Sequence, residues 1–169
     1  MIRKDLKSFT LIELLVTIAI IGILSGIVII AAIQARQSAK IGKARAEVRQ
    51  FYHAITILEN DTNEWPGHQT PGVIGTGVSG NEICPDGCSI SIFDDGAGLL
   101  GSDGFYPNWH GPYLQLREAI LDPWGNEYFF DTDYDIGHND WAVVIGSYGP
   151  NGIGNNLYDD DDIIYIIVQ

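Results

Sequence analysis

The chain has 169 residues, with 22 acidic against nine basic side chains, two cysteines and a formal net charge of −13. Residues 1–49 hold eight of the nine Lys and Arg residues against three acids, a balance of +5, whereas residues 50–169 hold Arg117 alone against nineteen acids, a balance of −18. That length leaves room for one small folded domain beyond an anchor and a connecting helix, and a domain at −18 repels phosphate backbones, which leaves nucleic-acid binding by it without electrostatic support.

Lys7-Ser8-Phe9-Thr10-Leu11-Ile12-Glu13-Leu14-Leu15-Val16 places one carboxylate at the head of an apolar stretch, and the twenty residues from Leu14 to Ile33 carry no charge. At about 1.5 Å of rise per residue a helix of that length covers roughly 30 Å, the thickness of a hydrocarbon core, so residues 9–33 read as a membrane-spanning helix. A charge inside such a segment costs between about 3 and 10 kcal/mol, so Glu13 requires a partner or a function. Arg3, Lys4 and Lys7 precede the run and, by the positive-inside rule, hold that end in the cytoplasm with the rest of the chain outside. The cations that follow it, Arg36, Lys40, Lys43, Arg45 and Arg49, argue for the opposite orientation, or for meeting the acidic domains of neighbouring copies. A cleaved secretory signal would end in an Ala-x-Ala type site, which Ala31-Ala32-Ile33-Gln34-Ala35 matches only loosely. Gly22 and Gly26, with Ser25 beside them, permit close helix contacts.

The residues Phe9-Thr10-Leu11-Ile12-Glu13 after a short basic leader resemble the amino-terminal signature of type IV pilins and of the pseudopilins of type II secretion systems. The resemblance implies that residues 1–8 are a leader, that a membrane-bound prepilin peptidase cuts between Ser8 and Phe9 and methylates the new amine, and that the trimmed subunits assemble into a helical filament. Glu13 of one subunit would then neutralise the Phe9 amine of a neighbour, lowering the cost of burying both charges. Ser8 stands where the family has glycine, and Ile30 stands where it has a helix proline. The implied setting is single-pass in the inner (cytoplasmic) membrane, in contact with lipid before assembly, with an inner-membrane assembly platform and minor pseudopilins as partners.

Beyond the apolar run, Ile41, Ala44, Val48, Phe51, Ile55 and Leu58 recur at alternating steps of three and four and mark one stripe of a helix. This predicts an amphipathic helix over 34–65 that continues the anchor, packs its stripe on the protein's own sheet, and ends in the Asn60 to Gly67 stretch. From Pro66 to Gly111 the composition reads as loop, with a short strand at Ser89 to Phe93. Cys84 and Cys88 flank Pro85-Asp86-Gly87, a turn-forming triplet, and in an oxidising compartment the expected product is a disulfide that fixes the loop. C-x3-C without a nearby histidine is a poor zinc site.

Gly111-Pro112-Tyr113 followed by Asp122-Pro123-Trp124-Gly125-Asn126-Glu127-Tyr128 resembles the head of the major pseudopilin of type II secretion. The second motif also reads physically as a tight turn, with proline setting φ, glycine permitting positive φ, and the tryptophan free to pack on the sheet. Strands are predicted at Glu127 to Asp131, Trp141 to Ser147 and Ile163 to Val168. The fold class is therefore α+β: a long N-terminal helix on an antiparallel sheet of about three strands, with residues 66–169 as a small loop-rich head.

Between the last two strands, a glycine-rich loop from Ser147 to Tyr158 leads into Asp159-Asp160-Asp161-Asp162. Such a run is either a solvated acidic turn or a site for a hard cation, and oxygen donors in a flexible loop suit calcium better than zinc. The resemblance implies a structural calcium ion held by the side chains of Asn151, Asp161 and Asp162, with the Tyr148 and Ile153 carbonyls and Asp159 or Asp160 as further donors. No catalytic constellation is visible: His53, His68, His110 and His138 are scattered, and no nucleophile sits in a recognisable turn. Three roles are open to such a chain: a pseudopilin taking part in protein secretion, a surface pilin for adhesion, motility or DNA uptake, and a membrane-anchored calcium-dependent binding module that never polymerises.

Overall fold

The structure, a computed structural model, describes residues 9–75, 83, 90–115, 120–138, 140–154 and 157–169. Its elements are α1 (Leu11–Thr62), a 3-10 turn at Pro66–His68, another at Asp95–Ala97, and the strands β1 (Phe129–Asp135), β2 (Trp141–Ser147) and β3 (Ile163–Val168). The chain divides near Ala39 and Lys40 into two units.

In the first unit every large apolar side chain from Phe9 to Ile33 is between 47 and 82% exposed. This is the one helix among the described residues that is long and apolar enough to cross a membrane. An uncovered apolar surface of that extent requires lipid or other protein around it. The helix runs without a break through Ile30, as expected where no proline removes a backbone donor.

In the second unit the predicted stripe faces inward. Ala44, Val48, Phe51, Ala54, Ile55, Leu58 and Thr62 are buried, and of the stripe only Ile41 stays partly exposed. The helix ends as an asparagine cap: Asn63 takes a left-handed φ of 55° and its N–H donates to the Glu59 carbonyl at 2.8 Å. Pro66 lies just beyond and cannot prolong the helix.

The sheet is an antiparallel meander in the order β1-β2-β3, with Phe129 opposite Gly146 and Gly146 opposite Ile164. Both faces of β2 are covered. Val143 and Ile145 join the α1 core with Phe51, Leu58, Trp65, Tyr128 and Phe130, while Ala142 and Val144 join a second cluster with Phe129, Tyr134 and Tyr148. Gly146 is glycine because the Phe129 ring lies across it: a Cβ there would sit 2.6 Å from that ring.

Two strand boundaries differ from the sequence reading. β1 spans 129–135 rather than 127–131, because Glu127 belongs to the exit of the Asp122 turn. The strand instead continues through Asp131-Thr132-Asp133, where a bulge between Asp131 and Tyr134 is stabilised by the Asp133 N–H donating to Asp131 Oδ1 at 2.8 Å. No strand forms at the described part of 89–93. Ser91 and Asp94 close a turn there, with Ser91 N–H donating to Asp94 Oδ2 at 2.8 Å and Asp94 N–H to the Ser91 carbonyl at 3.0 Å.

Candidate functional site

The amino-terminal motif forms a local hydrogen-bonded unit. Thr10 is the N-cap of α1 and Glu13 its third residue. The Thr10 N–H and hydroxyl donate to Glu13 Oε2 at 2.9 and 2.7 Å, and the Glu13 N–H donates back to Thr10 Oγ1 at 3.3 Å. This capping box satisfies helix-end donors and places the negative charge at the positive end of the helix dipole. Phe9, at 74% exposure, precedes it. Ser8 lies outside the described residues, as do Cys84 and Cys88.

The acidic loop folds against the sheet face opposite α1. Tyr148 stacks on Phe129 with ring centres 4.6 Å apart, Tyr158 meets Tyr134 at 4.5 Å, and the Tyr158 hydroxyl donates to the Asp133 carbonyl at 3.2 Å. Gly149 and Gly152 turn the chain at positive φ, and Gly149 rests directly on the Asp161 carbonyl, where no side chain would fit.

This folding brings Asn151 back to the aspartates, to Asp159 in particular: Asn151 Nδ2 donates to Asp159 Oδ2 at 2.8 Å, and Asn151 Oδ1 accepts the Ile153 N–H at 2.8 Å. Asp159 Oδ1 accepts the Asp161 N–H. Asp162 points elsewhere, its Oδ2 accepting the Tyr134 hydroxyl at 2.8 Å and its Oδ1 buried without a hydrogen-bond donor. Burial pushes the Asp162 carboxyl up to about 6, helped by the charges of Asp159 and Asp161 and opposed by the Tyr134 bond. Asp160 and Asp161 are exposed.

Asp159, Asp160 and Asp162, with Asp135, Tyr134 and Tyr158, line a cavity of about 300 Å³. Every donor offered is a hard oxygen, and the undonated Asp162 Oδ1 is an atom a cation would satisfy, so the residues fit calcium in donor chemistry. No three His, Cys, Asp or Glu side chains converge on one point among the described residues, so a full ligand set has to draw on carbonyl, amide or water oxygens.

The Asp122 turn forms where its composition predicts, but Trp124, expected on the sheet, belongs to neither core cluster. Asp122 is 4% exposed, and its Oδ1 accepts the N–H groups of Trp124, Gly125 and Asn126 at 2.8–2.9 Å, while Oδ2 accepts the Ser147 hydroxyl at 2.7 Å. Gly125 supplies the required positive φ of 102°. The Trp124 ring faces α1, with Lys40 Nζ 5.8 Å from its centre.

One cluster was invisible in the sequence. His68 meets a carboxylate at each ring nitrogen, Glu64 Oε2 at 2.5 Å and Asp103 Oδ2 at 3.0 Å, so that the protonated ring donates to both, and it stacks on Tyr106 with centres 4.0 Å apart. Burial works against its protonation, but the hydrogen bonds and charges of Asp103 and Glu64 outweigh it, and the imidazole is held above its ordinary value. Two similar links flank it: Trp65 Nε1 donates to Glu59 at 2.9 Å and the Tyr113 hydroxyl to Asp61 at 2.9 Å. Nothing in local spacing announces a pair 35 residues apart.

Residues 3–29 match the family model for the prokaryotic N-terminal methylation motif, so the chain carries the amino-terminal signal of type IV pilin-like filament subunits. The match ends inside α1 and does not reach the sheet. No curated protein and no solved structure matches the chain.

Proposed function

We propose that this chain is a structural subunit of a type IV filament, and within that class the major pseudopilin of a type II secretion pseudopilus. One observation carries the filament reading: a methylation motif places a carboxylate, Glu13, at the head of a helix whose apolar surface is uncovered from Phe9 to Ile33. Cleavage before Phe9 creates an α-amino cation. In a filament core that cation and Glu13 of the next subunit neutralise each other in a medium where either alone is costly. The narrower reading draws on Gly111-Pro112-Tyr113 and the Asp122 to Tyr128 motif, whose resemblance is to major pseudopilins.

Calcium, in this reading, is a structural ion. Asn151, Asp161 and Asp162 would hold it, with Asp159, which already meets Asn151, and the carbonyls of Tyr148 and Ile153 completing the shell. Neutralising the acidic turn would help dock β3, which begins at the residue after Asp162.

The test is mass spectrometry of the amino terminus in a sheared surface fraction and in the membrane fraction of native cells. A methylated Phe9 form found almost wholly in the membrane fraction is the expected result. Abundance of that form in sheared fibres makes the chain a surface pilin, and an uncut Met1 form in both fractions overturns filament assembly.

A further inference from the structure

Five cations follow the apolar run on α1, all exposed. Lys43 pairs with Glu47 at 3.6 Å, and Lys40 lies over Trp124. Among the described residues, no carboxylate forms an ion pair with Arg36, Arg45 or Arg49. Helical periodicity separates these side chains. Ala44, Val48 and Phe51 point into the core, whereas Lys43 on one side and Arg45 with Arg49 on the other border an outward strip holding Gly42 and Ala46. A Cβ built on Gly42 would touch nothing within 4 Å. The second unit thus presents a shallow strip of backbone with cations along both margins.

These charges need an external explanation. They sit on the far side of the apolar run from the leader, where they oppose the orientation that Arg3, Lys4 and Lys7 set. The acids of their own domain are committed elsewhere: Glu59, Asp61 and Glu64 hold the loops at the helix end, and Asp122 holds its turn. With all nineteen acids counted against Arg117, residues 50–169 stand at −18, and setting aside these four still leaves fifteen carboxylates.

We infer that the Gly42–Ala46 strip with Arg45 and Arg49 is the surface on which the acidic head of a second copy of this chain docks, through the face that carries exposed Asp160. The inference rests on the filament reading and names a contact in it. Charge complementarity selects the occupant: a basic strip and an acidic head lie on the same chain, so one copy supplies what the other lacks. Small residues between the cations let the incoming surface approach the helix backbone, and guanidinium groups suit carboxylates with two parallel hydrogen bonds. An anionic lipid surface is the competing partner for such cations.

The experiment uses the full chain in cells that assemble it, comparing wild type with R45E/R49E, D160K, the combined variant and E13A for the yield of assembled fibres. Equal unfolding midpoints of the extracted proteins establish that the variants fold. R45E/R49E is expected to lower fibre yield by roughly fivefold or more, the effect of two modest ion pairs repeated at each subunit, and D160K in the same chain to restore at least half of it. An R45E/R49E yield equal to wild type, with E13A still abolishing fibres, overturns the docking surface while leaving the filament reading intact. A loss that D160K does not relieve, together with lost binding to phosphatidylglycerol but not phosphatidylcholine vesicles, overturns it in favour of lipid; without that lipid loss, it overturns the Asp160 face. Absence of fibres from every variant, wild type included, removes the filament reading and this contact with it.

Discussion

Replacing Asp122 with alanine tests whether one buried carboxylate holds the second motif in place. Four donors converge on it: three backbone N–H groups of its own turn and the hydroxyl of Ser147, a residue with no exposed surface. The turn itself is partly exposed at Trp124, Gly125 and Asn126, so water can replace some of the lost acceptors there, whereas none reaches Ser147. At about 1 to 3 kcal/mol for each buried group left without a partner, and with the turn donors partly rehydrated, Asp122→Ala should cost about 3 kcal/mol. For a protein of this size that lowers the unfolding midpoint by about 10 °C. Asp122→Asn keeps an oxygen toward the three N–H groups, and Ser147 Oγ already accepts the Gly149 N–H, so its loss should be about 1 kcal/mol. Thermal unfolding of the detergent-extracted full chain, followed by circular dichroism, measures both. Equal losses for the two variants, or an alanine loss below about 1 kcal/mol, would refute the argument that acceptor geometry rather than general packing fixes the turn.

The His68 link gives a pH dependence of definite sign. Its folded value is raised, so its contribution is fully present below the ordinary value of about 6.5 and disappears as pH rises through the raised one; wild type should lose midpoint over that interval relative to His68→Gln, and parallel pH profiles would contradict this. Glu13→Gln keeps an oxygen for Thr10 and so should preserve helix content by circular dichroism while abolishing fibres, since a neutral amide does not balance the Phe9 amine; fibres at wild-type yield would remove the charge argument. Calcium at about one hundred times its dissociation constant should add roughly 2.7 kcal/mol to stability, raising the unfolding midpoint over that in chelator. Asp162→Ala should erase that gain and Asp160→Ala should keep it, and retention of the gain in Asp162→Ala would displace the proposed ligand set.

Much of the architecture was legible because it rests on local periodicity. Steps of three and four located the buried stripe from Ala44 to Leu58, and two apolar β-branched runs located β2 and β3 residue for residue. β1 was less legible because a bulge lets Asp131, Thr132 and Asp133 be buried in a strand, against the usual preference of those residues for turns. In the acidic loop, the return of Asn151 toward the aspartates follows from its glycines. Its pairing with Asp159, and the turn of Asp162 toward Tyr134 28 residues earlier, depend on how the loop lies on the sheet. The His68 cluster was unreadable for the same reason: Glu64 is four residues away, but Asp103 and Tyr106 reach the ring only through tertiary packing.

The three carboxylates near the end of α1 have a consequence for folding cooperativity. Glu59 and Asp61 lie at the negative end of the helix dipole, Glu64 follows it, and no basic residue occupies the last turn, so the isolated helix is electrostatically disfavoured there. Each of these acids is used by a group from outside the helix: the Trp65 indole, the Tyr113 hydroxyl and the His68 ring. The final turns of α1 and the loops that grip them therefore stabilise one another, and a peptide covering α1 alone would fray from its carboxyl end. The helix end and these loops are expected to gain and lose order together.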